Sequence, residues 1–294
     1  MATTKSTDLY DPEVWADLAQ AEFTGKVVVA GGSGATIESN ELQGVPGSTV
    51  TFPSWMGLTD LADLTEGTPM VPEKLTQKNS EAKVKEAGKA VEITDTADLN
   101  GLGNPQDEAI RQFGVLAARK VDTDLITAAL GTVTGGIKYA DGATATDSAP
   151  LAFSTAAGAG LTWDGLVDGI EKFGDDFEPS EFAGLFIRSA QRSQVWKDDQ
   201  FIRASELDAG GAGTVVRRGF IGEIAGMPVY VTDRLPTGKA AIVKRGALGL
   251  LYKRRPIVEQ DRDILARTNV VTTNLHYAVK RLNDKGVLAV TITA

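Results

Sequence analysis

The stretch NPQDEAIRQFGVLAARKVDTDLITAALG, residues 104–131, decides the fold more than any other part of the chain. Asn104 can cap a helix, Pro105 suits the first helical position, and Asp107 and Glu108 favour the positive end of the helix dipole. The apolar residues recur every three or four positions; they are Ile110, Phe113, Ala117, Val121, Leu125 and Ala129. A glycine ends the pattern. At 1.5 Å per residue the predicted helix is roughly 39 Å long, which suits a structural spine.

The segment before this helix has the pattern of strands and loops. Residues 48–55 alternate apolar and polar side chains, residues 56–81 are charged and contain glycine and proline, and residues 82–94 form a second extended stretch. We predict a long two-armed hairpin. Because its apolar content is too low for a core of its own, it needs a partner surface.

Charged side chains divide between the two arms of this predicted hairpin. Acidic residues occupy the first arm and the bend, namely Asp60, Asp63, Glu66 and Glu73; lysines occupy the return arm, namely Lys78, Lys83, Lys85 and Lys89. One interpretation is a solvated hairpin with weak cross-strand pairs. The other is an arm that crosses a neighbouring subunit. The interface prediction comprises Asp60, Asp63, Glu66, Lys78, Lys83, Lys85 and Lys89.

The remaining segments predict a mixture of helices and strands. A short amphipathic helix is expected within residues 1–24, and a loop or edge hairpin within 132–160. Thr162 and Ser189 are expected to cap helices, the second ending at residue 196. Residues 198–219 are a polar, glycine-rich excursion. The predicted strands are 182–187, 227–232, 240–243, 248–252, 270–273, 277–280 and 287–292.

Composition limits the classes of function. The 294 residues are 42% hydrophobic and 23% charged, contain no cysteine and carry a net charge of −9. Disulfides and thiolate metal sites are therefore excluded, and the acidic balance disfavours direct binding of nucleic acid. No apolar run is long enough to span a membrane, and residues 1–10 lack the pattern of a signal peptide. We expect synthesis in the cytoplasm.

Motifs that could carry chemistry are incomplete. The single histidine, His276, lies in a strand-like segment, so a structural role is expected. The glycine-rich stretch 31–35 lacks the third glycine of a dinucleotide loop and the final glycine of a nucleophile elbow. The acidic pairs Asp122/Asp124 and Asp261/Asp263, and the basic cluster 253–255, are typical of solvated or interface faces. We predict no catalytic residue, no cofactor and no metal.

Several segments in a fixed order resemble the HK-97-type capsid fold of tailed bacteriophages. They are VTFPSW at 50–55, VEITD at 91–95, GEIAGMPV at 222–229 with LPTG at 235–238, and KRGAL at 244–248 with EQDRD at 259–263. The resemblance implies an α+β fold with an N-terminal arm (1–40), an extended loop (41–95), a peripheral domain with the spine helix (96–160), an axial domain (161–245) and closing β strands of both domains (246–294).

The resemblance also implies a function. A major capsid protein of this kind assembles as hexamers and pentamers of an icosahedral shell around double-stranded DNA, without sequence-specific binding, and with scaffolding and portal proteins as partners. The virion capsid, assembled in the host cytoplasm, is the expected location. Two alternatives stay open: an encapsulin-like nanocompartment shell, and a soluble nucleotide-binding enzyme that uses the glycine-rich stretch. We expect no covalent crosslink between subunits.

Overall fold

The fold is described from a computed structural model, which describes residues 29–30, 33–39, 46–61, 63, 69–100, 103–140, 146–158, 160–198 and 223–293. The predicted helix within residues 1–24 and residues 199–219 of the predicted excursion lie outside this part. The helices are α1 (Asp95–Asn100), the spine helix α2 (Pro105–Leu130), α3 (Trp163–Ile170) and α4 (Ser189–Trp196), with 3₁₀-helices at Glu171–Asp176 and Pro179–Glu181.

The strands form three sheets. They are β1 (Thr36–Ser39), β2 (Thr49–Trp55), β3 (Gln77–Lys83), β4 (Lys85–Thr94), β5 (Val133–Tyr139), β6 (Thr146–Ser148), β7 (Leu151–Ser154), β8 (Phe182–Ile187), β9 (Glu223–Ile224), β10 (Met227–Val231), β11 (Lys239–Lys244), β12 (Leu248–Asp263), β13 (Thr268–Arg281) and β14 (Val287–Thr291). The strand orders are β1-β12-β13-β4, β7-β14-β11-β8-β10-β9 and β2-β3-β5-β6.

The spine helix has the boundaries that its caps predict. Asn104 Oδ1 accepts hydrogen bonds from the backbone N–H groups of Gln106 (3.0 Å) and Asp107 (3.3 Å). At the other end, Gly131 donates its N–H to Thr127 O at 2.9 Å. A side chain at Gly131 would place its Cβ 2.8 Å from that carbonyl oxygen, so the close approach requires glycine.

The spine helix lies between two sheets. Its buried face packs on β13 and β12 of the first sheet and on β8, β11 and β14 of the six-stranded sheet, in one apolar cluster. The opposite face of the six-stranded sheet packs on α3 and α4 in a second cluster. The central strand β8 is buried at every position, as its apolar run predicts.

The return arm of the predicted hairpin is divided at Val84. Residues 77–83 form β3, which pairs with β2 in the register Thr49↔Lys83 to Trp55↔Gln77, whereas β4 pairs with β13 in the first sheet. The prediction of one arm over 82–94 was therefore wrong. The reason is that Val91 packs beside the spine helix, in the cluster around Phe113 and Val271, and Ile93 is buried, so β4 belongs to the subunit's own core.

Other boundaries differ from the predictions in smaller ways. Ser189 is the first residue of α4 rather than its cap; its N–H and Oγ both donate to Asp233 Oδ1, at 3.1 and 2.6 Å. The predicted strand 248–252 continues to Asp263 as β12, and the predicted strands 270–273 and 277–280 are parts of one strand, β13. The two strands pair through their backbones even where their sequences do not alternate apolar and polar residues. Thr162 caps α3 as predicted, and β5 and β6 form the predicted edge hairpin.

Candidate assembly interface

The end of the β2–β3 hairpin exposes apolar side chains to solvent. We call the described residues between β2 and β3 (56–61, 63 and 69–76), together with Trp55, the hairpin end. Its large apolar residues are exposed, Leu61 completely; they are Trp55, Met56, Leu58, Leu61, Met70, Val71 and Leu75. Apolar side chains grouped in this way mark a surface that contacts another protein.

Polar contacts give the hairpin end its shape. Thr59 donates its N–H and Oγ1 to Glu73 Oε2, at 3.1 and 2.8 Å, and Met56 N–H donates to Thr76 O at 3.0 Å. These bonds join the two sides of the hairpin beyond the paired strands. Residues 56–59 and 73–76 are therefore held together by hydrogen bonds, although the apolar groups of the hairpin end do not pack into a core.

The predicted interface residues separate into two groups. Asp60 and Asp63 are exposed on the hairpin end, and Lys78 and Lys83 lie on β3. Lys85 and Lys89 instead lie on β4, where Lys85 Nζ is 3.6 Å from Asp124 Oδ2 and Lys89 stands opposite Thr273. Glu66 lies outside the described residues.

A second exposed apolar group lies where β4 ends and α1 begins. Leu99 of α1 and Ile264 and Leu265 of the β12–β13 turn are almost fully exposed. Two contacts hold α1 against this turn: Asp95 N–H donates to Arg267 O at 3.0 Å, and Arg262 Nη2 lies 2.9 Å from Asp95 Oδ2. The hairpin end extends from the β2-β3-β5-β6 sheet and this turn from the β1-β12-β13-β4 sheet, so the two apolar groups are distinct surfaces.

This second surface was not predicted from the sequence. The available signal is the pair Ile264-Leu265 directly after Asp263, whose Oδ1 accepts the N–H groups of Leu265 (2.9 Å) and Ala266 (3.0 Å). An aspartate that caps a turn followed by two apolar residues predicts apolar side chains at a turn tip. Apolar side chains at the tip of a turn cannot pack into the core of their own subunit, so we expect them to contact a partner surface.

The acidic pair on the spine helix is buried, so the prediction of a solvated or interface face was wrong for it. Asp122 is 0% exposed and its Oδ1 accepts the N–H groups of Val29 (2.8 Å) and Ala30 (3.0 Å). Asp124 is 7% exposed and accepts a bond of 2.6 Å from Tyr277 Oη. Each carboxylate joins the helix to a segment distant in sequence, which local pattern does not reveal.

Electrostatics keep Asp124 ionised. Burial alone would raise the pKa of the Asp124 carboxyl, but the hydrogen bonds from Tyr277 and Lys120 and the charges of Lys85 and Lys120 outweigh it and hold that pKa below its ordinary value. Burial, together with the bond to Asp124, strongly raises the pKa of the Tyr277 phenol. The pair is therefore a phenol that donates to a carboxylate at neutral pH.

Arg281 connects the C-terminal end of the spine helix to the β13–β14 turn. It is buried, and its Nη1 donates to the carbonyls of Ala128 (3.1 Å), Ala129 (2.8 Å) and Gly131 (2.7 Å). Its Nε donates to Asp284 Oδ1 at 2.7 Å. A cation that satisfies the last carbonyls of a helix also complements the negative end of the helix dipole.

The remaining candidate motifs have structural contacts. Ser33 of the glycine-rich stretch donates its Oγ to Val29 O at 3.3 Å, and His276 lies on β13 with Nε2 3.6 Å from Glu86 Oε2. Arg262 forms an ion pair with Asp95 and not with the aspartates beside it, and Arg255 forms an ion pair with Glu38 at 2.7 Å.

Within the described residues, no group of three or more histidine or acidic side chains is placed to bind a metal. No helix in this part has the length and apolar character needed to cross a membrane.

Comparison with known proteins identifies the family. The family profile described as phage capsid protein matches residues 77–290, which is more than half of the chain. The chain is also 32% identical, over 98% of its length and 95% of the relative, to the major capsid protein of Staphylococcus phage phiMR11. The chain belongs to the phage capsid protein family. The capsid protein is thus a structural component of the phage virion shell and not an enzyme.

Solved structures show the same fold for this capsid protein. The capsid asymmetric unit of Cyanophage Pam1 matches with a TM-score of 0.74 at 16% identity, covering 99% of this chain and 98% of that one. The structure from Mycobacterium phage Che8 matches with a TM-score of 0.71 at 14% identity, covering 96% and 97%. The predicted HK-97-type α+β fold is confirmed. None of these relatives is an encapsulin or an enzyme, so they favour neither alternative function.

Proposed function

We propose that this capsid protein is the major subunit of an icosahedral phage head, in which hexamers and pentamers enclose double-stranded DNA. The observation that carries the proposal is the hairpin end, whose large apolar side chains are exposed to solvent rather than packed on the described residues of the same chain. Each Å² of apolar surface that is buried contributes about 25 cal/mol of favourable free energy, so contact of the hairpin end with another copy would be stabilised.

Two distinct apolar surfaces favour a contact in which unlike patches meet. The hairpin end and the turn containing Ile264 and Leu265 extend from different sheets and consist of different residues. Contacts between unlike patches repeat from copy to copy and close into rings when the rotation permits. Hexamers and pentamers are rings of this kind, so the subunit's geometry supports them.

The domain boundaries and partners are also part of this proposal. We propose an extended loop (41–95), of which β2 and β3 lie outside the two core sheets whereas β4 joins β13. We also propose a peripheral domain built on the spine helix (96–160) and an axial domain containing β8 (161–245), with β7 contributing to the sheet of β8. We propose residues 1–40 as the arm and 246–294 as closing strands of both domains. The net charge of −9 supports packaging of DNA without tight binding to the wall. Scaffolding and portal proteins are the proposed assembly partners, and the host cytoplasm is the proposed place of assembly.

The test is particle formation. The chain is expressed in bacteria alone and together with the scaffolding protein of the same phage, and lysates are analysed by sedimentation and electron microscopy. We expect closed particles of megadalton mass. The triple variant Leu61→Ser, Met70→Ser, Val71→Ser should remain folded and reduce particle yield about tenfold or more, because a loss of 1.4 kcal/mol per contact is a tenfold change in affinity.

The matched control is Val167→Ser, which removes a partly exposed apolar side chain from α3, away from both apolar surfaces. It should leave particle yield unchanged. A wild-type chain that stays monomeric in both expressions would contradict the proposed function. Unchanged particle yield for the triple variant would contradict the role of the hairpin end.

A further inference from the structure

A polar cleft lies beside the hairpin. Its volume is about 150 Å³, and it is enclosed by β2, β3 and β5 on one side and by the β13–β14 turn on the other. The residues that decide its chemistry are Lys78, Asn79, Arg281, Asp284 and Lys285. The cleft lies at the base of the hairpin end. Two of its lining residues, Ser54 and Lys78, are paired across the hairpin directly before the last pair, Trp55 and Gln77.

The cleft carries unbalanced positive charge. Its carboxylate is neutralised from within, because Asp284 Oδ1 accepts bonds of 2.7 Å from both Arg281 Nε and Ser148 Oγ. Lys78 and Lys285 have no carboxylate within 4.0 Å among the described residues. In addition, the buried Oδ1 of Asn79 has no hydrogen-bond partner in this part of the chain. An occupant that brings carboxylates would pair with both lysines.

The hairpin end carries the complementary charge. Asp60 and Asp63 are exposed, and no cation lies within 4.0 Å of either carboxylate among the described residues. Glu73, on the facing side of the loop, is already bonded to Thr59. The hairpin therefore presents two unpaired carboxylates beside Leu58 and Leu61, while the cleft of the same chain keeps two unpaired lysines. Charge pairs of this kind set register and partner choice in protein interfaces.

We propose that the acidic hairpin end of one subunit, through Asp60 and Asp63, docks into the Lys78–Lys285 cleft of a neighbouring copy. This inference rests on the proposed function, because it names the two faces of the contact between copies. Each copy then offers one donor surface and one acceptor cleft, and the contact repeats around a ring. The exposed leucines beside the carboxylates supply the apolar part of the contact.

Charge reversal tests the pairing. Lys78→Glu with Lys285→Glu, and separately Asp60→Lys with Asp63→Lys, should each reduce the yield of particles at least about tenfold at equal subunit concentration. Because the contact is electrostatic, wild-type assembly should also weaken as salt rises from 0.1 to 1 M. The variant that combines both reversals restores opposite charges across the contact, and its particle yield should recover toward that of the wild type.

Controls separate this inference from its alternatives. Lys197→Glu reverses an exposed lysine elsewhere and should leave assembly unchanged. Lys285→Glu alone, at an exposed position, covers the case in which Lys78→Glu prevents folding, and should by itself lower the yield. Thermal unfolding of the unassembled variants reports on folding.

The outcomes are distinguishable. Wild-type particles with unchanged yield for both reversals, or a combined variant that does not recover, would overturn the docking while leaving the proposed function intact. Absence of wild-type particles would instead contradict the proposed function.

Discussion

The spine helix and the hairpin end differ in where their polar and apolar groups find partners. Around the spine helix, Asp122, Asp124 and Arg281 are buried, and each is hydrogen-bonded within its own chain. At the hairpin end, apolar side chains face solvent, and Asp60 and Asp63 have no cationic partner among the described residues. The difference shows which part of the chain stabilises the subunit and which part is available for the shell.

The largest expected effect concerns Arg281. Arg281→Met keeps the apolar length of the side chain but removes the guanidinium that donates to the carbonyls of Ala128, Ala129 and Gly131, and leaves Asp284 with only its bond from Ser148. Removing one partner of a buried charged network costs about 3–5 kcal/mol, and we expect that loss in urea denaturation of the unassembled subunit.

Arg262→Met is the matched control. Its guanidinium also forms an ion pair, with Asp95 at 2.9 Å, but this pair is exposed. Exposed pairs contribute about 0–1 kcal/mol, so the control should change stability little. If both variants lost the same free energy of unfolding, burial of Arg281 at the end of the helix would not matter for stability. The contrast drawn between the spine helix and the hairpin end would then fail.

A moderate effect with a pH dependence is expected at Asp124. Asp124→Asn weakens the bond to Tyr277 and the attraction to Lys120, and should cost about 1–3 kcal/mol at pH 7. Because the folded state lowers the pKa of Asp124, its contribution is fully present above the unfolded pKa of about 4 and is lost as the pH falls through the lower folded value. The stability difference between wild type and variant should therefore shrink between pH 5 and the acid limit of folding.

Tyr277→Phe checks the same pair from the other side. It removes the hydroxyl that donates to Asp124 and leaves the ring in place. If the two residues act together, the double variant should lose less than the sum of the single losses. A stability difference that stays constant from pH 7 to pH 3, or strictly additive losses, would contradict the assigned interaction.

Sequence predicted those parts of the fold that depend on neighbouring residues. The caps at Asn104 and Thr162, the end of the spine helix at Gly131 and the buried strand β8 all follow from patterns within a few positions. Here the local pattern and the final environment agree. The sequence also predicted that the hairpin needs a partner surface, but it attributed this to low apolar content, whereas the hairpin end has several large apolar side chains that are exposed.

Sequence could not predict contacts between distant segments. The bonds of Asp122 to Val29 and of Asp124 to Tyr277 span 93 and 153 positions, and helical periodicity places a carboxylate on a face without showing what lies opposite. For the same reason Lys85 and Lys89 were assigned to the hairpin, although β4 joins β13. The outer half of β12 has no apolar alternation and is specified by its backbone pairing with β13.

The smallest expected effect on the subunit concerns Trp55, and it sharpens the comparison most directly. Trp55 is 62% exposed at the hairpin end, whereas Phe113 of the spine helix is 2% exposed. Phe113→Ala should cost about 3–5 kcal/mol in the unassembled subunit, the usual loss for a buried aromatic side chain. Trp55→Ala should change the same quantity by less than about 0.5 kcal/mol, as exposed substitutions do.

In assembly, the order of the two effects should be reversed when equal concentrations of folded subunit are compared. Trp55→Ala removes apolar area from the contact between copies, so it should raise the subunit concentration needed for particles more than Phe113→Ala does. If Trp55→Ala destabilised the isolated subunit as much as Phe113→Ala, the hairpin end would pack on its own chain, and its exposed apolar residues could no longer be assigned to the shell.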